Sequence, residues 1–248
     1  MGLLYLLTVL AMLATMELGY RLTRARQRKS TSKTDAGVGA MSGASLALLA
    51  FLLAFVVSLG AGIATERRHL VMDEANAIGT TYLRAGYLEE PYRTEARDLL
   101  REYTDLRLEA LDPARLAAVV SRSEDIHNKL WASAEVIAVE SPLPTVSLYI
   151  ASLNEVIDRH AERVAVGIDI RIPPTVFLGV YIVALFTTFL VGVHSGYGEK
   201  RNYLAMVVMV LILSVVFLLI VDLDRAREGL LRVPQLPMLD LQRQLNMP

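Results

Sequence analysis

The sequence predicts an all-α membrane protein: four transmembrane helices in two hairpins, with a helical bundle inserted between spans two and three. Three observations predict it. The 248 residues are 54% hydrophobic with a mean hydropathy of +0.42, far more apolar than an average soluble domain, and the apolar residues are gathered into blocks. Four of those blocks approach or reach the roughly 20 residues that cross a bilayer core. Between the second and third lies a charged stretch, Glu66 to Ile172, whose apolar residues recur at helix spacing. The expected organisation is hairpin one over 1–64, a bundle continuous with span two over 65–172, hairpin two over 173–221 and an extended carboxyl-terminal tail over 222–248.

The first run, Leu3 to Leu18, is apolar apart from Thr8, Thr15 and Glu17, and is followed by Arg21, Arg24, Arg26, Arg28 and Lys29. A cleaved signal peptide places its positive charge before the apolar run, so this one reads as a retained span with Glu17 solvated at its boundary. Ser30 to Gly43, rich in Ser, Thr and Gly and carrying Lys33, is expected to be a flexible basic loop. Span two covers roughly Ala44 to Ala64 and passes without proline into the block Asp73-Glu74-Ala75-Asn76. One long helix is therefore expected.

In the middle segment, Pro91 suits a first helical position, and Ala96, Leu99, Leu100, Tyr103 and Leu106 repeat at helix spacing. Asp112-Pro113 opens the next helix as cap and first residue, with Val119, Ile126, Leu130, Ala134 and Ile137 on one side. It must stop near Ser141, because Pro142 and Pro144 follow. A third helix carries Val146, Tyr149, Leu153 and Val156 on its apolar face. These faces need each other, and a bundle buries them.

Span three runs from Thr175 to Val193 after Pro173-Pro174, and span four from about Tyr203 to Val221. His194 to Arg201, with Gly196 and Gly198, makes the short turn between them. Pro234 and Pro237 suggest that the tail is extended. The short loops within both hairpins carry Lys or Arg. The positive-inside rule then places the termini and the bundle outside the cytoplasm of a multi-pass protein of the cell (inner) membrane.

Candidate functional residues fall into three groups. Asp73, Asn76, Thr80 and Arg84 share one face of the long helix, beside Glu74, and extending that face backwards reaches Gly62, Ser58, Phe55 and Phe51. Asn154, Asp158 and Arg163 on the third bundle helix could meet the polar part. A seam of polar groups satisfying one another explains both stripes, and an ion or ligand site is the alternative. Phe51, Phe55 and Leu59, four apart, are lipid or packing contacts, or else apolar rings that gate by dewetting where several subunits surround an axis. Asp222 and Asp224 leave span four as hydrated acids or as a candidate cation site.

Other chemistry has no visible address. A net charge of −1 argues against a nucleic-acid partner, and the absence of cysteine removes thiol catalysis and thiolate metal sites. The four histidines are scattered along the chain. Glu124 and His127 have one-turn spacing, but the second copy that a carboxylate-bridged metal site needs is missing. No Walker loop, no Gly-x-Ser-x-Gly and no zinc-type His pair occurs, so neither an enzyme nor a cofactor or metal protein is expected. The spans hold hardly any ionisable residue near mid-membrane, which counts against a pump or coupled transporter.

The block from Asp73 to Arg84, Leu153-Asn154 with Asp158 and Arg163, Ile172-Pro173 entering span three, and Asp222-Leu223-Asp224-Arg225 leaving span four together resemble the bacterial bestrophin-like membrane family. The resemblance covers nearly the whole chain. Ala226 stands where members of that family usually carry a proline, a departure that bears on the local turn. The more distant likeness to true bestrophins implies a pentameric anion channel passing small inorganic ions, whose second helix narrows the pore at Phe51, Phe55 and Leu59. It also implies a cytoplasmic bundle, opposite to the orientation that the loop charges favour. The other class of function open to the sequence is a structural or signalling membrane module whose bundle binds a partner.

Overall fold

The computed structural model describes residues 2–28, 36–109, 114–198, 202–225 and 234–247. Among them are eight α-helices: α1 (Gly2–Gln27), α2 (Ala36–Ala85), α3 (Tyr92–Glu109), α4 (Leu116–Glu140), α5 (Pro144–Val164), α6 (Pro174–Tyr197), α7 (Tyr203–Asp224) and α8 (Leu236–Leu245). A π-helical turn, Ala165–Asp169, comes directly after α5. No strand occurs among the described residues. Helices α1, α2, α6 and α7 are long and apolar enough to cross a membrane. The all-α class and the four spans expected from hydropathy are therefore present.

The chain forms two compact units, each built from two segments. The first combines Met1–Gly62 with Ile172–Arg225, and the second combines Ile63–Arg171 with Ala226–Pro248. In the first unit α1 lies directly on α6 because both helices carry glycine at the contact. A Cβ on Gly19 would stand 2.2 Å from the Phe189 carbonyl oxygen, and one on Gly192 would stand 2.0 Å from that of Met16. Neither position has room for a side chain, and the two backbones touch as small residues allow inside a membrane. The hydroxyls of Thr15 and Thr188 meet at 2.8 Å across the same contact. Thr188 also donates to the Ala184 carbonyl, so both hydroxyls are satisfied.

In the second unit α3, α4, α5 and the end of α2 enclose one apolar core. Ala96, Leu100 and Tyr103 of α3, Ile126, Leu130 and Ala134 of α4, and Tyr149, Leu153 and Val156 of α5 are buried in it, on the faces expected from their spacing. α4 ends at Glu140, before Pro142, as the prolines require.

Four local details differ from the sequence expectation. α2 begins at Ala36, so the later part of the expected basic loop is helical: Ala, Gly and Ser there are succeeded at once by strong helix formers. α3 begins at Tyr92, one residue after Pro91. α6 continues to Tyr197, so the chain leaves the helix only at Gly198. The tail is not simply extended. Pro237 sits in the first turn of α8, where its missing N–H costs nothing, and Met238, Leu241 and Leu245 are buried in the core of the second unit. Arg101 Nε donates to the Leu245 carbonyl at 2.9 Å and Gln242 donates to Asp105 at 2.7 Å, which fixes that helix. The start of the basic loop, the Asp112-Pro113 cap, Glu199 to Arg201 and Ala226 lie outside the described residues.

Candidate functional site

On α2 the first unit separates two opposite faces. Leu49, Leu53 and Val56 are buried, and a Cβ on Gly60 would come within 3.2 Å of Leu223, so this side is packed. At 100° per residue, Phe51, Phe55, Ser58 and Gly62 lie about half a turn away. Phe51 is 68% exposed, Phe55 58% and Leu59 36%; Ser58 is exposed, and nothing stands within 4 Å of a Cβ on Gly62. The stripe is therefore open along this helix of the chain. Within the first unit Asp224 accepts a 2.7 Å hydrogen bond from the Ile172 backbone N–H, which ties the exit of α7 to the entry of α6, while Asp222 is buried.

In the second unit the polar stripe divides. Asn76 and Thr80 are exposed and Asp73 is half-buried. Arg84 Nη1 donates to the Leu148 carbonyl at 2.9 Å, and Asn154 donates to Asp158 at 2.8 Å on the surface of α5. Glu74 alone turns inward and is completely buried.

Around Glu74 three helices converge. Arg107 of α3 places Nε 3.0 Å from Glu74 Oε1, in contact as an ion pair without the alignment of a hydrogen bond. Arg163 of α5 pairs with Glu74 Oε2 through Nη1, and its Nη2 donates to the Gln235 side chain at 2.8 Å. The Tyr103 hydroxyl donates to Glu74 Oε1 at 2.5 Å and lies 3.0 Å from His160 Nδ1. His127 completes the group, with its ring centroid 4.7 Å from that of Tyr103 and 4.9 Å from that of His160.

The electrostatics are set by burial and charge. Burial alone would raise the Glu74 carboxyl, but the Arg107 and Arg163 guanidinium groups outweigh it, helped by His160 and Tyr103, and hold the group well below the usual carboxylate range. Glu74 therefore only accepts, so Tyr103 must donate to it, and the Tyr103 oxygen is left to accept from the Nδ1 proton of His160. Burial, then the Glu74 charge, pushes the Tyr103 phenol far up. Burial and the neighbouring His160 push the His127 imidazole down to about 4. At neutral pH the cluster thus holds one carboxylate, two guanidinium groups and an uncharged His127.

Sequence reasoning offered Glu74 and Arg163 as site residues, read Tyr103 only as part of an apolar face and His127 only beside Glu124, and gave Arg107 and His160 no role. Two of the four histidines that look scattered along the chain, His127 and His160, form an adjacent buried pair. The detectable signal is Glu74 itself, three residues after buried Val71 and four before buried Ile78, an acid on the apolar face of α2. Glu124, considered beside His127, is exposed. No group of three potential metal ligands occurs among the described residues.

Four apolar helices of spanning length, with a helical bundle built around a buried ion-paired centre, define a multi-span membrane protein of one particular helical architecture. The chain belongs to the bestrophin-like family: the model of the Bestrophin-like domain matches residues 5–238. Two crystal structures of a bacterial bestrophin homologue from Klebsiella pneumoniae, one carrying a point substitution, superimpose on it with a TM-score of 0.64 at 17% identity, over 97% of this chain and 96% and 95% of theirs. A crystal structure described as that of a membrane protein gives 0.61, also at 17% identity, over 97% of this chain and 95% of that one. The fold is thus shared over essentially the full length. A comparison with curated proteins returns no match.

Proposed function

We propose that this protein is the subunit of an oligomeric ion channel, anion-conducting by preference and pentameric by analogy with bestrophins, with α2 lining the pore. One observation carries the proposal: the stripe Phe51, Phe55, Ser58 and Gly62 lies open, half a turn from the packed face of the same helix, with Leu59 at its edge. Sister subunits around an axis would cover it. Phe51, Phe55 and Leu59 would then form successive apolar rings at one-turn spacing, a constriction that gates by dewetting. A pore made between subunits also accounts for spans with so little buried charge, since no single chain needs to enclose the path. The half-buried and exposed residues Asp73, Asn76, Thr80 and Arg84, continuing along α2, would be polar contacts beyond the constriction.

The test is reconstitution into a planar bilayer. Wild-type protein is expected to carry chloride current and to run as an oligomer in detergent, and Phe55→Ala is expected to raise the current several-fold by removing a ring. A monomer without conductance would refute the channel and favour the other class, a membrane module whose bundle binds a partner. On the positive-inside rule the termini and the bundle face away from the cytoplasm. The chain has no native cysteine, so Met247→Cys with an impermeant maleimide reports the side directly.

A further inference from the structure

The carboxyl-terminal end of α1 carries a basic groove that none of these roles uses. Arg21, Arg24 and Arg28 recur at i, i+3 and i+7 and so share one side of the helix. With Glu17, Tyr20 and Gln27 they line a concavity of about 730 Å³. Among the described residues, three guanidinium groups against one carboxylate give its walls an excess of positive charge.

The groove is built rather than merely charged. Arg24 donates through Nη2 to the Gly198 carbonyl at 2.8 Å and through Nε to the Tyr20 hydroxyl at 3.2 Å, and its guanidinium stands 5.6 Å from the Tyr20 ring centroid. The base beneath it is rigid, because Gly196 of α6 packs so closely on Thr23 that a Cβ there would stand 2.6 Å from the Thr23 Cβ. Arg21 is exposed and held by Glu17 at 2.7 Å. Arg28 is exposed and has no anionic partner among the described residues.

Beside the groove the same helix turns apolar. On the arginine side of that helix Leu10 is 53% and Leu7 55% exposed, and the helix is of membrane-spanning length. A fatty-acyl chain lying against those leucines would bring its head group level with the arginines. Guanidinium groups in a fixed fork suit a phosphate oxygen pair, and basic clusters at the end of a span are where anionic head groups gather.

We infer that Arg21, Arg24 and Arg28 form a binding site for the phosphate head group of an anionic phospholipid, whose acyl chain lies along Leu7 and Leu10 on the same side of the helix. The alternative is a diffuse, hydrated basic end such as many spans possess. Arg26 separates the two. It is exposed and carries the same charge, but helix geometry puts it on nearly the opposite side of α1 from Arg28.

The experiment measures thermal unfolding of the full chain in detergent micelles doped with phosphatidylglycerol or with phosphatidylcholine of the same chains. The readout is the difference between the two lipids, so a change in intrinsic stability cancels. Phosphatidylglycerol is expected to raise the unfolding temperature of wild-type protein. Arg21→Gln and Arg28→Gln should each weaken the apparent affinity about five-fold, and Arg26→Gln should leave it unchanged. An equal loss in Arg26→Gln, or no preference for phosphatidylglycerol, would overturn the site. Stabilisation reproduced by inorganic phosphate without lipid would overturn the assignment to phospholipid.

Discussion

Replacing Glu74 by glutamine removes the carboxylate that Arg107 and Arg163 share and leaves two guanidinium charges facing each other in a buried site. The side chains of Arg107 and Arg163 are 4% and 13% exposed, so water can do little to screen them. At the 3.0 Å separation of Arg107 and Glu74, with an effective dielectric of about 20, the gross attraction is roughly 5 kcal/mol. Desolvation of the three charges offsets much of that attraction in the wild type. Once the acid is gone, however, the arginine desolvation stands uncompensated, and breaking a buried pair from one side costs about 3–5 kcal/mol. For a chain of this size that corresponds to roughly 6–20 °C in unfolding temperature. The assay is thermal unfolding monitored by circular dichroism in detergent, with Glu90→Gln, an exposed acid 3.8 Å from Arg93, as control. Replacing Glu74, Arg107 and Arg163 together by methionine should recover most of the loss, because no buried charge is then left alone. An unfolding temperature for Glu74→Gln within about 2 °C of wild type, well short of that range, would refute the view that this cluster organises the bundle.

Acid should act through His127 before it reaches Glu74. The unfolded imidazole takes its proton near 6.5 and the folded one only near 4, so stability is complete above pH 6.5 and declines by on the order of 3 kcal/mol as the pH falls to 4. His127→Leu should flatten that slope. Glu74, whose folded value is depressed, adds a separate loss that begins as the pH falls through the ordinary carboxylate value, where the unfolded chain takes up its proton first. In the first unit Gly192→Leu should separate α1 from α6, because even its Cβ would overlap the Met16 carbonyl, and loss of folded protein on size exclusion is the expected outcome. A normally folded Gly192→Leu protein would show that the two helices are free to part.

The spans are legible in the sequence because lipid imposes one rule over twenty consecutive residues, and α6 and α7 satisfy it without exception. The bundle faces are legible for a similar reason: Leu100, Leu130 and Leu153 stand where a helical period puts them. The Glu74 cluster is not, since it joins residues from α2, α3, α4 and α5 that are far apart in sequence, and no local spacing says which acid turns inward. Glu74 lies one position away from the Asp73 face that the polar stripe emphasises, and a single residue is 100° of helix. The tail reads as extended when Pro234 and Pro237 are weighed as breakers, whereas Met238, Leu241 and Leu245 recur at i, i+3 and i+7 as a buried helical face does.

The position of α8 also dictates when the protein can finish folding. Met238, Leu241 and Leu245 fill the core of a unit whose other walls are made between Ile63 and Arg171, and Gln235 holds one of the arginines that neutralise Glu74. During synthesis those walls emerge well before their closing piece, with hairpin two still to be made and inserted in between. The bundle is therefore sealed only after α8 has left the ribosome, and until then its apolar interior depends on chaperones or on the bilayer surface for cover.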